Sequence, residues 1–134
     1  MIKTRPSGDD VTAFLDSVPD ERRRTDGHAL RSMLERITGE QATMWGPSLV
    51  GFGVRPYTNG SGTNDWFVVG FSPRSTALTV YGILDGDAEA DPLFEALGPH
   101  TTGKGCVYIK RLDRIDVQIL EQLVRNAWDG PDAS

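Results

Sequence analysis

The sequence has one cysteine, Cys106, and two histidines, His28 and His100, in 134 residues. One cysteine cannot form an internal disulfide, and no Cys-x-x-Cys pair is present to hold zinc or to exchange electrons. The two histidines do not form a His-x-x-x-His pattern, which argues against a structural zinc site. The stability of the chain must therefore come from packing.

Long apolar runs and an excess of basic residues are also missing. No segment approaches the ~18 apolar residues that cross a bilayer, and the first ten residues lack the apolar core of a signal peptide. We therefore expect a cytoplasmic protein without a membrane partner. The net charge of −5 opposes nucleic-acid binding, because contact with phosphates needs clustered Lys and Arg.

The common enzyme motifs Gly-x-Ser-x-Gly, His-Glu-x-x-His and Gly-x-Gly-x-x-Gly are absent, but residues 98–105 come close to a phosphate-binding loop. Gly105 stands where that loop needs a hydroxyl, and a predicted helix precedes the segment instead of following it. We therefore expect a glycine-rich connection with Lys104 in solvent. A small anion-binding nest formed with Thr101, Thr102 and Lys104 is the alternative.

The apolar residues predict helices and short strands in separate parts of the chain. Spacings of three and four residues indicate helices at 11–18, 19–38 and 113–128, with a short helix at 92–97. Gly39 is predicted as the left-handed cap of the second helix, and Val117, Leu120, Val124 and Ala127 as the apolar face of the last one. Strands are predicted within 42–57, 65–72, 77–84 and 106–110, and the polar residues 58–65 as the mobile tip of a hairpin. The sequence thus predicts one α+β domain over residues 1–134, with a core at about 8–128. We expect a mainly antiparallel sheet with two N-terminal helices, the short helix and a C-terminal helix on one face.

Alternation in the last predicted strand places chemically active side chains on one face. Val107 and Ile109 should face the helices, so Cys106, Tyr108 and Lys110 share the opposite face. A half-buried cysteine that acts as a small hydrophobic residue is the favoured interpretation. The alternative is a thiolate nucleophile at Cys106 with His100 as its base.

Two charged clusters have simple explanations. The acidic turn at 85–91 fails as a calcium loop, because its sixth position is Ala90 and its twelfth is Ala96. A loosely held hard cation is the alternative there, with the ligands Asp85, Asp87, Glu89 and Asp91. Asp9, Asp10 and Asp16 on the first helix form a similar candidate. Arg22, Arg23 and Arg24 are interpreted as a solvated helix face.

Three stretches resemble the YdhG-like domain family, domain of unknown function 1801. They are "MWGPSLVGFG" at 44–53, "VVGFSPRSTALTVYGI" at 68–83 and "LGPHTTGKGCVYIKRLDRID" at 97–116. The resemblance spans residues 8–128 and implies a small cytosolic α+β domain. It marks one candidate surface: Trp45, Gly46, Pro47, Ser48, Phe71, Ser72, Pro73, Lys104, Tyr108 and Lys110. Some relatives are described as frataxin-like iron chaperones, but the matching stretches hold few of the oxygen ligands that ferrous iron needs.

These observations support three hypotheses. The first is a non-enzymatic module that binds a small anionic molecule or a protein partner, as a monomer or a homodimer, without a cofactor. Its cleft has Trp45 and Tyr108 as walls, and its polar groups are Ser48, Ser72, Arg74, Lys104 and Lys110. The second is an iron-binding chaperone that carries ferrous iron on the carboxylates of the first helix and of the acidic turn. The third is a thiol-dependent enzyme that uses Cys106.

Overall fold

The two N-terminal helices of this protein begin and end at residues that form hydrogen bonds with the unpaired backbone groups of the helix ends. The computed structural model describes residues 10–46, 48–60, 62–74, 76–83, 92–103 and 106–129. Within them the α-helices are α1 (Val11–Asp16), α2 (Glu21–Thr38), α3 (Pro92–Leu97) and α4 (Val117–Asp129), with a 3₁₀ turn at Leu112–Arg114 before α4. None of these described helices is both long enough and apolar enough to cross a membrane.

Carboxylates cap the two N-terminal helices. The Asp10 side chain accepts hydrogen bonds from the backbone N–H groups of Thr12 and Ala13, and Asp20 accepts one from Arg23 at 2.9 Å. The latter bond lowers the pKa of Asp20 below its ordinary value. Helix α2 thus begins after Asp20, because this carboxylate satisfies a backbone donor that would otherwise be free. It ends at Gly39, whose left-handed φ of 73° confirms the predicted cap.

The strands form one large sheet and a separate hairpin. They are β1 (Thr43–Trp45), β2 (Leu49–Phe52), β3 (Arg55–Asn59), β4 (Gly62–Trp66), β5 (Val69–Pro73), β6 (Leu78–Tyr81), β7 (Thr101–Thr102) and β8 (Cys106–Ile109). The sheet has the order β1-β2-β5-β6-β8-β7 with antiparallel pairing throughout, and β3 pairs only with β4. The predicted α+β class is confirmed.

One face of the sheet packs against the helices. The register places Val50, Phe71, Val80 and Val107 in one row across β2, β5, β6 and β8, and each of them is fully buried. These residues join Leu34 and other helix side chains in a single core cluster. The alternation predicted for β8 therefore holds, and the other residues of each strand face away from the helices.

The structure corrects two details of the sequence interpretation. The predicted hairpin is confirmed, but its strands extend further into residues 58–65 than predicted, because β3 and β4 pair from Arg55 opposite Trp66 to Asn59 opposite Gly62. Val117 was predicted on the apolar face of the last helix but lies exposed in the first turn of α4. The buried face of α4 is formed by Leu120, Leu123 and Val124.

Candidate functional site

The sheet face that points away from the helices is organised in two cross-strand rows. One row runs through Ser72, Thr79, Tyr108 and Thr101, which are successive register partners on β5, β6, β8 and β7. The other runs through Gly51, Gly70, Tyr81 and Cys106. Small residues at β2 and β5 leave room above the sheet, while the β8 end carries larger polar side chains.

An aromatic cluster fills the space above the two glycines. A Cβ atom at Gly70 would lie 2.9 Å from the Phe67 ring and 2.6 Å from the Val50 carbonyl oxygen. Phe67 stacks on Trp66 with ring centroids 4.4 Å apart, and Trp45 meets both rings edge-on. This half of the face is therefore packed and offers no groove.

The residues predicted for the ligand site do not come together as one cleft. Trp45 is only 1% exposed and lies on β1, at the edge of the sheet opposite to β8 and β7. Four strand spacings separate β1 from β8, about 19 Å, so Trp45 and Tyr108 cannot be two walls of one cleft. Ser48 lies in the turn between β1 and β2, at the same distant edge, and Ser72 is buried at 1% exposure.

Of the remaining predicted residues, Tyr108 and Lys110 lie at the other side of the sheet, and Arg74 lies beside its third strand. Arg74 follows β5, Tyr108 lies on β8 and Lys110 follows β8 directly. The hydrogen bond with Cys106 raises the pKa of the Tyr108 phenol, and the positive charge of Arg74 opposes this increase. Lys104 lies outside the described residues.

A pocket of about 700 Å³ opens beside Tyr108 and Lys110. Its described lining is mainly apolar and consists of Thr76, Ala77, Pro99, His100, Thr101, Tyr108, Lys110, Arg111 and Arg114. Every charged residue in this lining is basic, and no described acidic side chain contributes to it. The volume is within the range of sites that enclose a small organic ligand. We call this cavity the basic pocket.

The cations of the basic pocket differ in whether a carboxylate neutralises them. Arg111 donates two hydrogen bonds to Asp113, from Nε at 2.9 Å and from an Nη at 2.7 Å. Asp113 also accepts one from Arg22 at 3.2 Å, and its hydrogen bond with Arg111 lowers the pKa of Asp113. Among the described residues, neither Lys110 nor Arg114 forms an ion pair. Two positive charges of the pocket thus have no paired carboxylate in the part of the chain that the structure describes.

The Tyr108 ring forms an exposed aromatic wall of the basic pocket. It is 36% exposed and lies against Gly103, where a Cβ atom would be 2.6 Å from the phenol oxygen. The side-chain hydrogen bond with Cys106 raises the pKa of Tyr108 above its ordinary value. Tyr108 therefore keeps its proton at neutral pH, and its single O–H is engaged with Cys106.

His100 has a fixed tautomer when it is neutral. Its Nδ1 lies 2.8 Å from the Gly98 carbonyl oxygen. Because a carbonyl oxygen only accepts, Nδ1 must carry the proton, and Nε2 of the neutral ring can only accept. His100 can therefore donate from Nε2 to an anion only when the ring is an imidazolium.

Two buried charged residues of α2 fix the backbone around the basic pocket. Arg23 donates to the carbonyl oxygens of Arg74 at 3.1 Å and of Lys110 at 3.5 Å, and the Asp26 carboxylate accepts from the Leu112 N–H at 3.1 Å. Both side chains are buried. The interpretation of Arg22, Arg23 and Arg24 as a solvated face is therefore wrong for Arg23, which ties the ends of β5 and β8 to α2.

The segment that resembles a phosphate-binding loop connects a helix to a β-hairpin. Helix α3 precedes it, and Thr101 and Thr102 pair with Tyr108 and Val107 of β8. The Gly103 N–H donates to the Cys106 carbonyl at 2.9 Å. Since the two threonines belong to a strand ladder, they do not form the predicted anion nest.

The two other hypotheses receive no described site. Cys106 is buried opposite Tyr81 on β6 and is not part of the described lining of the basic pocket. The acidic turn at 85–91 lies outside the described residues. In the described ranges no three His, Cys, Asp or Glu side chains group to hold a metal, while Asp16 lies 2.8 Å from His28. The iron hypothesis stays a prediction.

Comparison with known proteins adds no relative. No family model matches the chain, and neither the curated proteins nor the solved structures give a significant match. The resemblance to the YdhG-like family therefore stays a prediction.

The candidate site predicted from the sequence did not include Arg111 and Arg114. The sequence does gather Lys104, Lys110, Arg111 and Arg114 in a chain whose net charge is negative, and this concentration already indicated local attraction for anions.

Proposed function

We propose that this protein is a binding module that takes a small anionic ligand in the basic pocket. The observation that carries the proposal is the charge of the pocket lining: every described charged residue there is basic, and Lys110 and Arg114 form no ion pair with a carboxylate among the described residues. Cations placed side by side repel one another, so an anion between them lowers the electrostatic free energy. The net charge of −5 makes this local excess the opposite of the average surface.

The groups in the pocket are suited to holding an anion by hydrogen bonds as well as by charge. Arg114 offers a planar set of donors that matches phosphate or carboxylate oxygens, and Lys110 contributes a compact ammonium group. Buried Arg23 holds the carbonyl groups of Arg74 and Lys110, so the backbone that carries these donors is positioned before the ligand arrives.

The test is the thermal unfolding midpoint of the protein with and without inorganic phosphate, sulfate and citrate. A ligand at about 100 times its dissociation constant stabilises the folded state by about 2.7 kcal/mol, which raises the midpoint of a domain of this size by several degrees. We expect such an increase for the native chain and a smaller one for Arg114→Gln and Lys110→Gln.

The matched control is Arg125→Gln, which removes the same charge from an exposed position on α4 outside the described pocket lining. Its response to anions should equal that of the native chain. The proposal is wrong if no anion changes the midpoint, or if Arg114→Gln and Arg125→Gln respond alike.

A further inference from the structure

The size, charge and aromatic wall of the basic pocket together define the class of its ligand; this step rests on the function proposed above. The cavity volume is about 700 Å³ and its lining is mainly apolar. An inorganic anion would contact the basic side chains and leave most of this volume to water. Pockets of 300 to 1,000 Å³ usually enclose organic ligands whose apolar parts cover the walls. The anionic group must therefore be one part of a larger molecule.

The charge on that anionic group follows from the ion pairs. Asp113 binds Arg111 through both carboxylate oxygens and also accepts from Arg22, so it offsets only part of the positive charge of these two arginines. Lys110 and Arg114 form no ion pair with a described residue, so the described lining keeps at least two positive charges, which a doubly charged anion complements better than a singly charged one. A phosphate monoester has a charge of about −1.5 to −2 at neutral pH. A single carboxylate or a sulfate monoester has one negative charge and would leave one of the two cations unmatched.

The shape of the uncharged part follows from Tyr108. Tyr108 is 36% exposed and lines the pocket, and its ring lies close to the Gly103 backbone. The strand ladder of β7 and β8 holds this backbone in place. A rigid, exposed aromatic face binds planar rings by stacking and does so without regard to their hydrogen-bonding groups. Pro99 and Ala77 provide further apolar contact on the same pocket.

We infer that the basic pocket binds a phosphate monoester joined to a planar ring, with the phosphate at Lys110 and Arg114 and the ring against Tyr108. Aryl phosphates and mononucleotides share this chemistry. The phosphate would accept hydrogen bonds from the guanidinium and the ammonium group, and the ring would cover the apolar wall. Arg111 stays bound to Asp113 in this arrangement.

The experiment is calorimetric titration of the native chain with four probes that vary one property at a time. Phenyl phosphate has both features, methyl phosphate lacks the ring, cyclohexyl phosphate has a ring that is not flat, and phenyl sulfate has the flat ring with one charge fewer. Because phenyl phosphate can stack on the Tyr108 ring, we expect it to bind about tenfold more tightly than methyl phosphate. Because phenyl phosphate carries a second negative charge, we expect it to bind about fivefold more tightly than phenyl sulfate.

Variants of the aromatic wall separate stacking from other apolar contact. Tyr108→Leu should remove the preference for phenyl over cyclohexyl phosphate and leave the affinity for methyl phosphate unchanged. Tyr108→Phe keeps the ring and should keep that preference. Arg114→Gln should weaken the three phosphate esters by the same factor, and Arg125→Gln should weaken none of them.

The results of these titrations test the anion-binding function, the planar ring and the double charge separately. If methyl phosphate binds as tightly as phenyl phosphate and Arg114→Gln weakens both, the anion-binding function stands and the planar ring is wrong. Equal affinity for phenyl phosphate and phenyl sulfate would overturn the double charge. If none of the four probes binds, or if the Arg114→Gln and Arg125→Gln variants behave alike, the proposed function itself fails.

Discussion

Asp113 limits the positive charge of the basic pocket. It accepts two hydrogen bonds from Arg111, a lining residue, and one from Arg22 of α2. The hydrogen bond with Asp113 raises the pKa of Arg111, so the pair is fully charged on both sides at neutral pH. In the proposed function, an anion would share the Arg111 guanidinium with Asp113 or bind without a contact to Arg111. Asp113 therefore competes with the ligand from within the protein.

Replacement of this internal competitor should strengthen anion binding. In Asp113→Asn the Arg111 guanidinium loses its charged partner, and we expect the affinity for phosphate esters to increase about three- to fivefold, the range of a partly exposed ion pair. Calorimetric titration at constant ionic strength measures this. The control is Glu40→Gln, which also removes one negative charge. Glu40 follows the C-terminal end of α2, whereas Arg22 lies at the N-terminal end, so this variant should leave the affinity unchanged. A decrease in affinity for Asp113→Asn would show that Arg111 needs Asp113 for its position.

At this scale the sequence predicted Tyr108 and Lys110 correctly as neighbours at one side of the sheet, because strand alternation depends only on adjacent positions. It could not place Trp45, since the distance between two strands depends on their order in the sheet. Sequence alternation is the same for strands that are adjacent and for strands at opposite edges. The structure places Trp45 on the first strand of the order and Tyr108 on the fifth.

Helix α2 connects the core to the basic pocket through its buried charges. Arg23 reaches the carbonyl groups at the ends of β5 and β8, and Asp26 reaches the N–H of Leu112. Arg22 and Arg24 differ from Arg23 in environment: Arg22 is about half exposed beside Asp113, and Arg24 donates to the Val18 carbonyl. Three consecutive arginines thus have three separate partners, which composition alone does not reveal.

Loss of the Arg23 guanidinium should affect stability and binding together. Arg23→Met leaves two partly buried carbonyl groups without these donors, and we expect the free energy of unfolding to decrease by about 2 to 3 kcal/mol. Anion affinity should fall as well, because the backbone around Lys110 is no longer held. Denaturant unfolding and phosphate titration measure the two effects. Arg22→Met removes an exposed pair and should cost under about 1 kcal/mol.

Strands β2 and β5 carry glycines because an aromatic ring lies on them. A side chain at Gly70 would meet both the Phe67 ring and the Val50 carbonyl oxygen, and the latter belongs to a paired strand that cannot move freely. The sequence interpretation used the nearby glycines mainly as evidence against a helix. Their packing role depends on Phe67 folding back over the sheet, which a linear pattern does not show.

Gly70→Ala should therefore be strongly destabilising. We expect a decrease of about 3 kcal/mol in the free energy of unfolding, at the upper end of the cost of an overfilled core. Gly60→Ala is the matched control, because no atom lies within 4 Å of a Cβ atom there. Its effect should stay within about 0.5 kcal/mol, as for other surface substitutions. Equal stability of the two variants would contradict the contact between Phe67 and the sheet.

The whole molecule should lose stability in acid through carboxylates that are held in their charged form. Hydrogen bonds with Arg111 and Arg36 lower the pKa values of Asp113 and Glu121 from the ordinary 3.8 and 4.5, and the Arg23 N–H lowers that of Asp20. Since the folded values lie below the unfolded ones, the stabilisation is complete above the unfolded values and disappears as the pH falls through the folded ones. The unfolding midpoint should decrease as the pH falls below about 4.5.

A variant tests this assignment. Glu121→Gln removes the pair with Arg36 that joins α2 to α4, so its midpoint should lie below that of the native chain near neutral pH and decrease less steeply in acid. Glu40→Gln, whose carboxylate forms no ion pair, should keep the native slope. Parallel curves for the native chain and Glu121→Gln would contradict the contribution of this pair.

The α+β class was predictable because each element has its own local signal, such as the Asp10 and Asp20 caps and the left-handed Gly39. The antiparallel order follows from short connections between strands. The extent of β3 and β4 within the predicted hairpin was harder to predict, since residues 58–65 are polar and the ladder is held by backbone hydrogen bonds, which nearly every residue type can form. Val117 shows the same limit: its spacing fits the apolar face, but it lies in the first turn of α4.

The contrast between the basic pocket and the acidic surface has a consequence for the rates of binding. With a net charge of −5, the molecule should repel an approaching anion at long range, and the proposed site at Lys110 and Arg114 should attract it at short range. Salt reduces the long-range repulsion over a distance of about 10 Å at 0.1 M and also weakens the final contacts. In stopped-flow measurements, added salt should therefore speed both association and dissociation. The net charge of the molecule would then set the association rate of an anion, and the contacts in the basic pocket would set its dissociation rate.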